Sequence, residues 1–322
     1  MDLEVLAITK EELSWLLLHE AEKEGWLFSE EDVDFCFHYP ANELSAIKIN
    51  GELAGCILLQ RKLNFPDSPP IASVGLFLIL EKYRGQKKLG PFLWNRAISE
   101  KTNDQMIICL NSVARAQNFY ERLGLMKTSV RRVSYILQSQ ETNKEALNTV
   151  LASIDQGIIK KIDRPLAIDL YNEKLFSSAK VFCDFIHDWQ QRPDALTLAF
   201  YEGKEIKGYG IATICKKVNK KLYYRFSPIY ADSVEVAETI LKGLIYFTLQ
   251  AQGRQIELNL LEGNPFISIL ENMGFVSADK DYIFCNHRQL IDFNAPMLNK
   301  IFSSLPLEYA HEVMATKSVP SF

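Results

Sequence analysis

Two short stretches carry the residues best suited to chemistry. The first is Tyr83-Arg84-Gly85-Gln86-Lys87-Lys88-Leu89-Gly90, which gathers Arg84, Lys87, Lys88 and two glycines just ahead of a helix that the sequence opens at Pro91. A helix start offers free N–H groups and the positive end of its dipole, so this loop suits an anion such as a phosphate. Lys87 and Lys88 are equally compatible with solvated surface charge. The second stretch is Phe119-Tyr120-Glu121-Arg122-Leu123-Gly124-Leu125, where Tyr120 falls on the apolar stripe of a helix. A phenol there serves either as a core residue or as a proton donor. Glu81 reads as an exposed loop carboxylate or as a base. Asn111 and Ser112 suit either a bound group or the cap of the next helix. Asp67, Glu24 and Trp26 are weaker candidates.

The elements that must position these residues are legible in the sequence. The apolar run Val74-Gly75-Leu76-Phe77-Leu78-Ile79-Leu80 reads as a strand buried on both faces. Ahead of it, Thr9-Lys10-Glu11-Glu12 is a capping box for a helix ending at Gly25, and Ser29 caps a second helix stopped by Pro40. Leu44 to Ile49 and Leu53 to Leu59 form a hairpin about Asn50-Gly51. A helix from Pro91 to Lys101, a strand from Met106 to Leu110, the Tyr120 helix and a strand from Met126 to Leu137 complete an α/β unit.

The chain has 322 residues, enough for two domains. It is 48% apolar and 24% charged with net charge −4, which argues against a nucleic-acid partner. The start Met1-Asp2-Leu3-Glu4 is unlike a signal peptide, and no apolar run reaches membrane-spanning length, so no membrane partner is expected. Six scattered cysteines without a CxxC pair read as reduced thiols of a cytoplasmic protein, and no metal-ligand spacing is present.

The grammar then repeats. After a polar segment near Ser139 to Thr142 and a helical stretch from Lys160 to Trp189, strands at Leu196 to Tyr201, Ile206 to Cys215 and Leu222 to Phe226 lead into a helix, Val234 to Gln252. A strand Ile256 to Leu261, a short helix after Asn264-Pro265 and a strand at Tyr282 to Cys285 follow. Aligning the copies matches Ile108-Cys109-Leu110-Asn111 with Ile256-Glu257-Leu258-Asn259, and sets Tyr120 against Leu270. The second copy has Ser227-Pro228-Ile229-Tyr230-Ala231-Asp232-Ser233 in place of the basic loop. There Asp232 would repel a phosphate, and Asp232 or Ser233 can cap the helix. Chemistry is therefore expected in the first copy.

The order of elements, the strand ending in Tyr83-Arg84-Gly85-Gln86 and the Phe119 to Leu125 segment resemble the GNAT superfamily of acyl-CoA-dependent N-acyltransferases. Glu24-Gly25-Trp26 with Asp32, and Ser227 to Asp232, narrow the resemblance to two-domain members with a degenerate second copy. The resemblance implies tandem α/β (α+β) folds, each a mixed, mostly antiparallel twisted sheet flanked by helices. They would span 1–140 and 195–293, with a linker and helical segment at 141–194 and a tail at 294–322. It implies acetyl-CoA as co-substrate, held by Leu78, Ile79, Arg84, Gly85, Gln86, Lys87, Lys88, Leu89, Gly90 and Asn111. Tyr120 would protonate the thiolate, with Glu81 as a catalytic partner and Glu24 and Trp26 on the acceptor side. The loop departs from the family pattern by one extra residue and a lysine where a glycine is usual. The implied reaction is acetyl transfer to a primary amine, small or peptidic, by a monomer or homodimer; the alternatives are a non-catalytic acyl-CoA-binding module or a protein-lysine acetyltransferase.

Overall fold

The computed structural model describes residues 2–65, 68–86, 88–103, 105–140, 144–162, 166–176, 180–286 and 299–304. Lys87 and Asp67, the polar segment at 141–143 and most of the tail lie outside them. The chain divides into two compact units, Met1–Thr128 with Ile283–Arg288, and Ser129–Tyr282 with Gln289–Phe322.

The first unit begins with β1 (Leu3–Ala7), a strand the sequence reading does not contain, paired antiparallel with β2 (Asn42–Ile49). Between them stand α1 (Lys10–Trp15), continued by a π turn, and α2 (Glu30–His38). Thr9 and Ser29 each close a reciprocal capping box, with Glu12 and Asp32 respectively. β3 (Glu52–Phe65) turns back through Asn50-Gly51, both at positive φ, and pairs with β4 (Ser68–Ile79). A basic loop leads to α3 (Leu89–Trp94), which runs on through a π turn to Ser99. This helix starts two residues before Pro91. Proline is tolerated inside the first turn because the N–H it lacks has no intrahelical partner there. β5 (Ile107–Ser112), parallel to β4, and α4 (Gln117–Arg122) follow.

The second unit opens within β6 (Met126–Gln138). After it come α5 (Lys144–Asp155), β7 (Ile159–Lys161), α6 (Leu166–Phe176) and α7 (Lys180–Gln190). β8 (Leu196–Glu202), β9 (Glu205–Val218) and β10 (Lys221–Ala231) form an antiparallel meander. α8 (Val234–Gln250), capped by the Ser233 hydroxyl, leads to β11 (Gly253–Leu261), parallel to β10 and antiparallel to β6. α9 (Ile267–Asn272), β12 (Val276–Cys285) and β13 (Ile301–Ser303) complete the described chain. Where a helical stretch is read from Lys160 to Trp189, the structure has two helices, preceded by the strand β7 over its first residues. α8 lies on the meander, burying Ile240, Leu241, Leu244 and Ile245 in a core shared with Leu198, Phe226 and Leu258. In each unit the strands pair mostly antiparallel with one parallel pair and are flanked by helices, as the resemblance implies.

The repeat is physical. Leu125 N–H donates to the Tyr120 carbonyl at 3.1 Å, and Phe275 N–H to the Leu270 carbonyl at 3.0 Å. Gly124 and Gly274, both left-handed, close the two helices alike.

Candidate active site

The first unit's sheet opens at β4. Its pairing with β5 runs through Ile71, Ala72 and Ser73 and, among the described residues, stops there. Beyond Ser73 the strand bulges: Gly75 pairs with Leu58 and Leu78 with Cys56, so Leu76 and Phe77 stand opposite Ile57 alone. Leu76 takes a left-handed φ of 49° while nearly fully buried. That conformation is uncommon for leucine and is held by the surrounding packing, including the Cys56 thiol, which donates to the Leu76 carbonyl at 3.3 Å.

After the bulge the ladder decides which backbone groups are free. Leu80 N–H donates to the Ala54 carbonyl, and the Gly55–Ile79 and Cys56–Leu78 pairs follow in register. By antiparallel alternation, Leu78 directs its amide toward β3, whereas Ile79 directs its own to the open edge. Of the two strand residues expected to hold the donor, only Ile79 therefore has its backbone on that edge. Phe77, not anticipated from sequence, shares it.

On this edge lies a cavity of about 820 Å³, in the size range of small-molecule sites. Phe77 and Ile79 form its floor, Tyr83, Arg84, Gly85 and Gln86 its loop wall, Leu89, Gly90 and Pro91 the start of α3, and residues of α4 its far side. Arg84, Gly85, Gln86, Leu89, Gly90, Ile79 and Tyr120 all line this one cavity. Gly85 reverses the loop at φ 80°, and Gly90 lets α3 approach α4, since a Cβ there would stand 3.1 Å from the Phe119 ring. Lys88 is exposed just before α3, Glu81 is exposed on the turn after β4, and Asn111 is half-buried in β5; none lines the cavity.

Tyr120 sits in an aromatic cage. Its ring is edge-on to Trp94 at 6.1 Å and to Phe119 at 5.3 Å, and tilted against Phe77 at 6.2 Å and Phe284 at 5.9 Å. The phenol lines the cavity and has no hydrogen-bond partner among the described residues. Burial pushes its pKa well above the ordinary phenol value, so the group stays protonated across the physiological range. Leu270, its counterpart, is fully buried in the second unit's core.

Arg84 is held by a device that sequence reasoning missed. Its Nε donates to the Ile79 carbonyl at 2.8 Å, and its other end pairs with Glu24. Glu24, only 5% exposed in its side chain, also pairs with Arg115, which stands just before α4. A carboxylate between two guanidiniums fixes the loop against the strand end. Glu24 is thus engaged as the anchor of the loop, and Trp26 is half-buried outside the cavity lining. Nothing in the sequence signals these pairs, because the partners are about sixty and ninety residues apart. Among the described residues there is no metal-binding cluster of histidine, cysteine or carboxylate side chains.

A mixed sheet whose parallel pair parts beside a basic, glycine-bearing loop and a helix start is the arrangement that the resemblance noted in the sequence implies. The comparisons agree. Residues 7–125 match the family described as "Acetyltransferase (GNAT) family" and residues 183–291 that described as "Acetyltransferase (GNAT) domain". The chain belongs to the GNAT acetyltransferases and carries two such domains in tandem. A putative acetyltransferase from Pyrococcus horikoshii shares the fold at TM-score 0.66 and 15% identity, over 95% of each chain. A tandem GNAT protein from the clavulanic acid biosynthesis pathway does so at 0.64 and 15%, over 88% of this chain and 98% of that one. A glucosamine N-acetyltransferase region of a fungal multi-domain β-N-acetylglucosaminidase aligns at 0.63 and 12%, over 88% of this chain and 38% of that one. No curated protein matches the sequence significantly.

Proposed function

We propose that the protein transfers an acetyl group from acetyl-CoA to a primary amine, and that the first unit carries the reaction. The observation that carries this reading is the Tyr120 phenol: caged by aromatic rings, kept protonated by burial, without an internal partner, and facing a cavity whose other end is the Arg84–Gly90 loop.

The residues present fit an acyl-CoA. The free edge of β4 at Ile79 suits the amide groups of an extended arm, as a strand edge accepts an added strand. Arg84, with Gly85, Gln86 and the amides entering α3, suits phosphate. Arg84 is 38% exposed in its side chain, so an anion can share it with Glu24.

The neutral acceptor amine attacks the thioester carbonyl, the C–S bond breaks, the departing thiolate takes the Tyr120 proton, and the proton the amine sheds on becoming an amide passes to solvent, from which the phenolate is reprotonated. The Ile79 N–H, at the open edge, is the group placed to polarise that carbonyl. A phenol raised by burial is a weak acid toward a thiolate in water. The same desolvation raises the thiolate's own pKa, which restores the match. Among the described residues no carboxylate lines the cavity, so the amine enters neutral and the rate follows its deprotonated fraction.

The test is transfer itself. With labelled acetyl-CoA and a panel of small amines and lysine peptides, thiol release should be saturable in one class of acceptor. The small amines and the peptides separate a metabolite enzyme from a protein-lysine acetyltransferase. Binding of acetyl-CoA without release above spontaneous hydrolysis would leave a binding module and refute the catalytic reading.

A further inference from the structure

In the second unit, the place equivalent to the cavity is filled by the chain itself. The bulge recurs there: Phe226 pairs with Ala212 and Ile229 with Gly210, so Ser227 and Pro228 stand opposite Ile211 alone. Aligned on the two bulges, Leu78 and Ile79 of β4 correspond to Ile229 and Tyr230 of β10. In the first unit this edge opens on the cavity. In the second it is paired, Ile229 with Ser303 and Tyr230 with Ile301, to the antiparallel strand β13.

β13 also reaches the other wall of the parting. Ser304 N–H donates to the Asn259 carbonyl of β11 at 2.8 Å, and Asn259 is the repeat counterpart of Asn111. The Ser227 hydroxyl donates to the Ser304 carbonyl at 2.7 Å, and the Ser303 hydroxyl to the Phe226 carbonyl at 2.6 Å. The Asn264 amide donates to the Ile301 carbonyl at 2.9 Å. Phe302 is fully buried, edge-on to Phe266 at 5.2 Å. Backbone amides bonded to both strands, with one apolar anchor, are what an extended amide-bearing arm would offer the same edges.

We propose that the C-terminal strand Ile301–Ser303 permanently occupies the donor slot of the second unit as an internal substitute for an acyl-CoA arm. The chain therefore binds one acyl-CoA, and binds it in the first unit. The stoichiometry rests on the function proposed above; the occupation of the slot does not.

Hydrogen exchange on the full chain, with and without saturating acetyl-CoA, tests this together with calorimetric stoichiometry. Residues 226–231 and 299–304 should exchange at least about 10³-fold more slowly than unstructured peptide and be unmoved by acetyl-CoA. Residues 74–80 should slow on its addition, at one equivalent per chain. Rapid exchange of 299–304, new protection of 226–231 by acetyl-CoA, or two equivalents bound would overturn the proposal. If acetyl-CoA does not bind at all, the function proposed above fails, and the exchange of 226–231 and 299–304 still decides whether the slot is filled. Phe302→Ala in the full chain should speed exchange at 226–231 at least tenfold and leave 74–80 unchanged; equal rates at 226–231 would count against the strand.

Discussion

Replacing Tyr120 by phenylalanine isolates one atom. The hydroxyl has no partner among the described residues, so removing it orphans no donor or acceptor, and the ring keeps its four aromatic neighbours. Folding stability should change by less than ~1 kcal/mol. The donor's affinity, set by the loop and the strand edge, should stay within about twofold. What is lost is the proton delivered to the departing thiolate, a contribution of about 10²–10⁴ in rate. That corresponds to about 2.7–5.4 kcal/mol of barrier. Stopped-flow thiol release in a single turnover reads the chemical step, and calorimetry reads the affinity. A kcat within about threefold of the parent would refute the proton-donor role, and so would a loss that appears wholly in donor affinity.

Other expectations follow from the same geometry. The raised phenol pKa gives the rate profile no descending limb from Tyr120 below about pH 10, so the rate climbs with pH as the acceptor amine loses its proton; a fall between pH 8 and 9 would contradict this. By linkage, a group protonated more tightly in the folded state loses its stabilising effect as pH rises above the ordinary phenol value of about 10. Glu24→Gln breaks both guanidinium pairs while keeping the side chain's shape; it should destabilise by about 1–3 kcal/mol, read by denaturant unfolding, and raise the donor KM as Arg84 loses its anchor. Gly90→Val places side-chain atoms against the Phe119 ring and should weaken the donor at least tenfold in calorimetry, whereas Gly203→Val, at an exposed turn of the second unit, should leave donor affinity unchanged. The Cys56 thiol is pushed up to about 12 by burial, so roughly one part in 10⁴ is thiolate at pH 8 and it should resist alkylation in the native protein, as should buried Cys109.

What the sequence made legible was local. The capping box at Thr9, the cap at Ser29, the Asn50-Gly51 turn, the apolar strand and the repeat are each written in adjacent residues, and the structure has them all. The loop stands out in sequence because its cations and glycines precede a helix start, and Tyr120 because the family resemblance falls on it and its own repeat has Leu270 there. The rest depends on distant partners. The bulge that turns Phe77 and Ile79 toward the cavity has no signature in Val74 to Leu80, since it is fixed by register against β3. Glu24 reads as an acceptor contact in sequence because its partners, Arg84 and Arg115, come from elsewhere in the chain. β13 is three residues in a weakly patterned tail, and only the edge it pairs with makes it a strand. The same holds for β1, whose alternation is short and half-exposed.

The central claim is that the first unit is a working acyl-CoA site. Thermal unfolding of the full chain at acetyl-CoA concentrations up to about a hundredfold above its Kd measures it most directly. Ligand binding to the folded state at that ratio adds about 2.7 kcal/mol, a rise in Tm of roughly 4 °C for a chain of this length. The account predicts this rise in the parent and in Tyr120→Phe alike, and its reduction in Gly90→Val. A Tm unmoved by millimolar acetyl-CoA would contradict it.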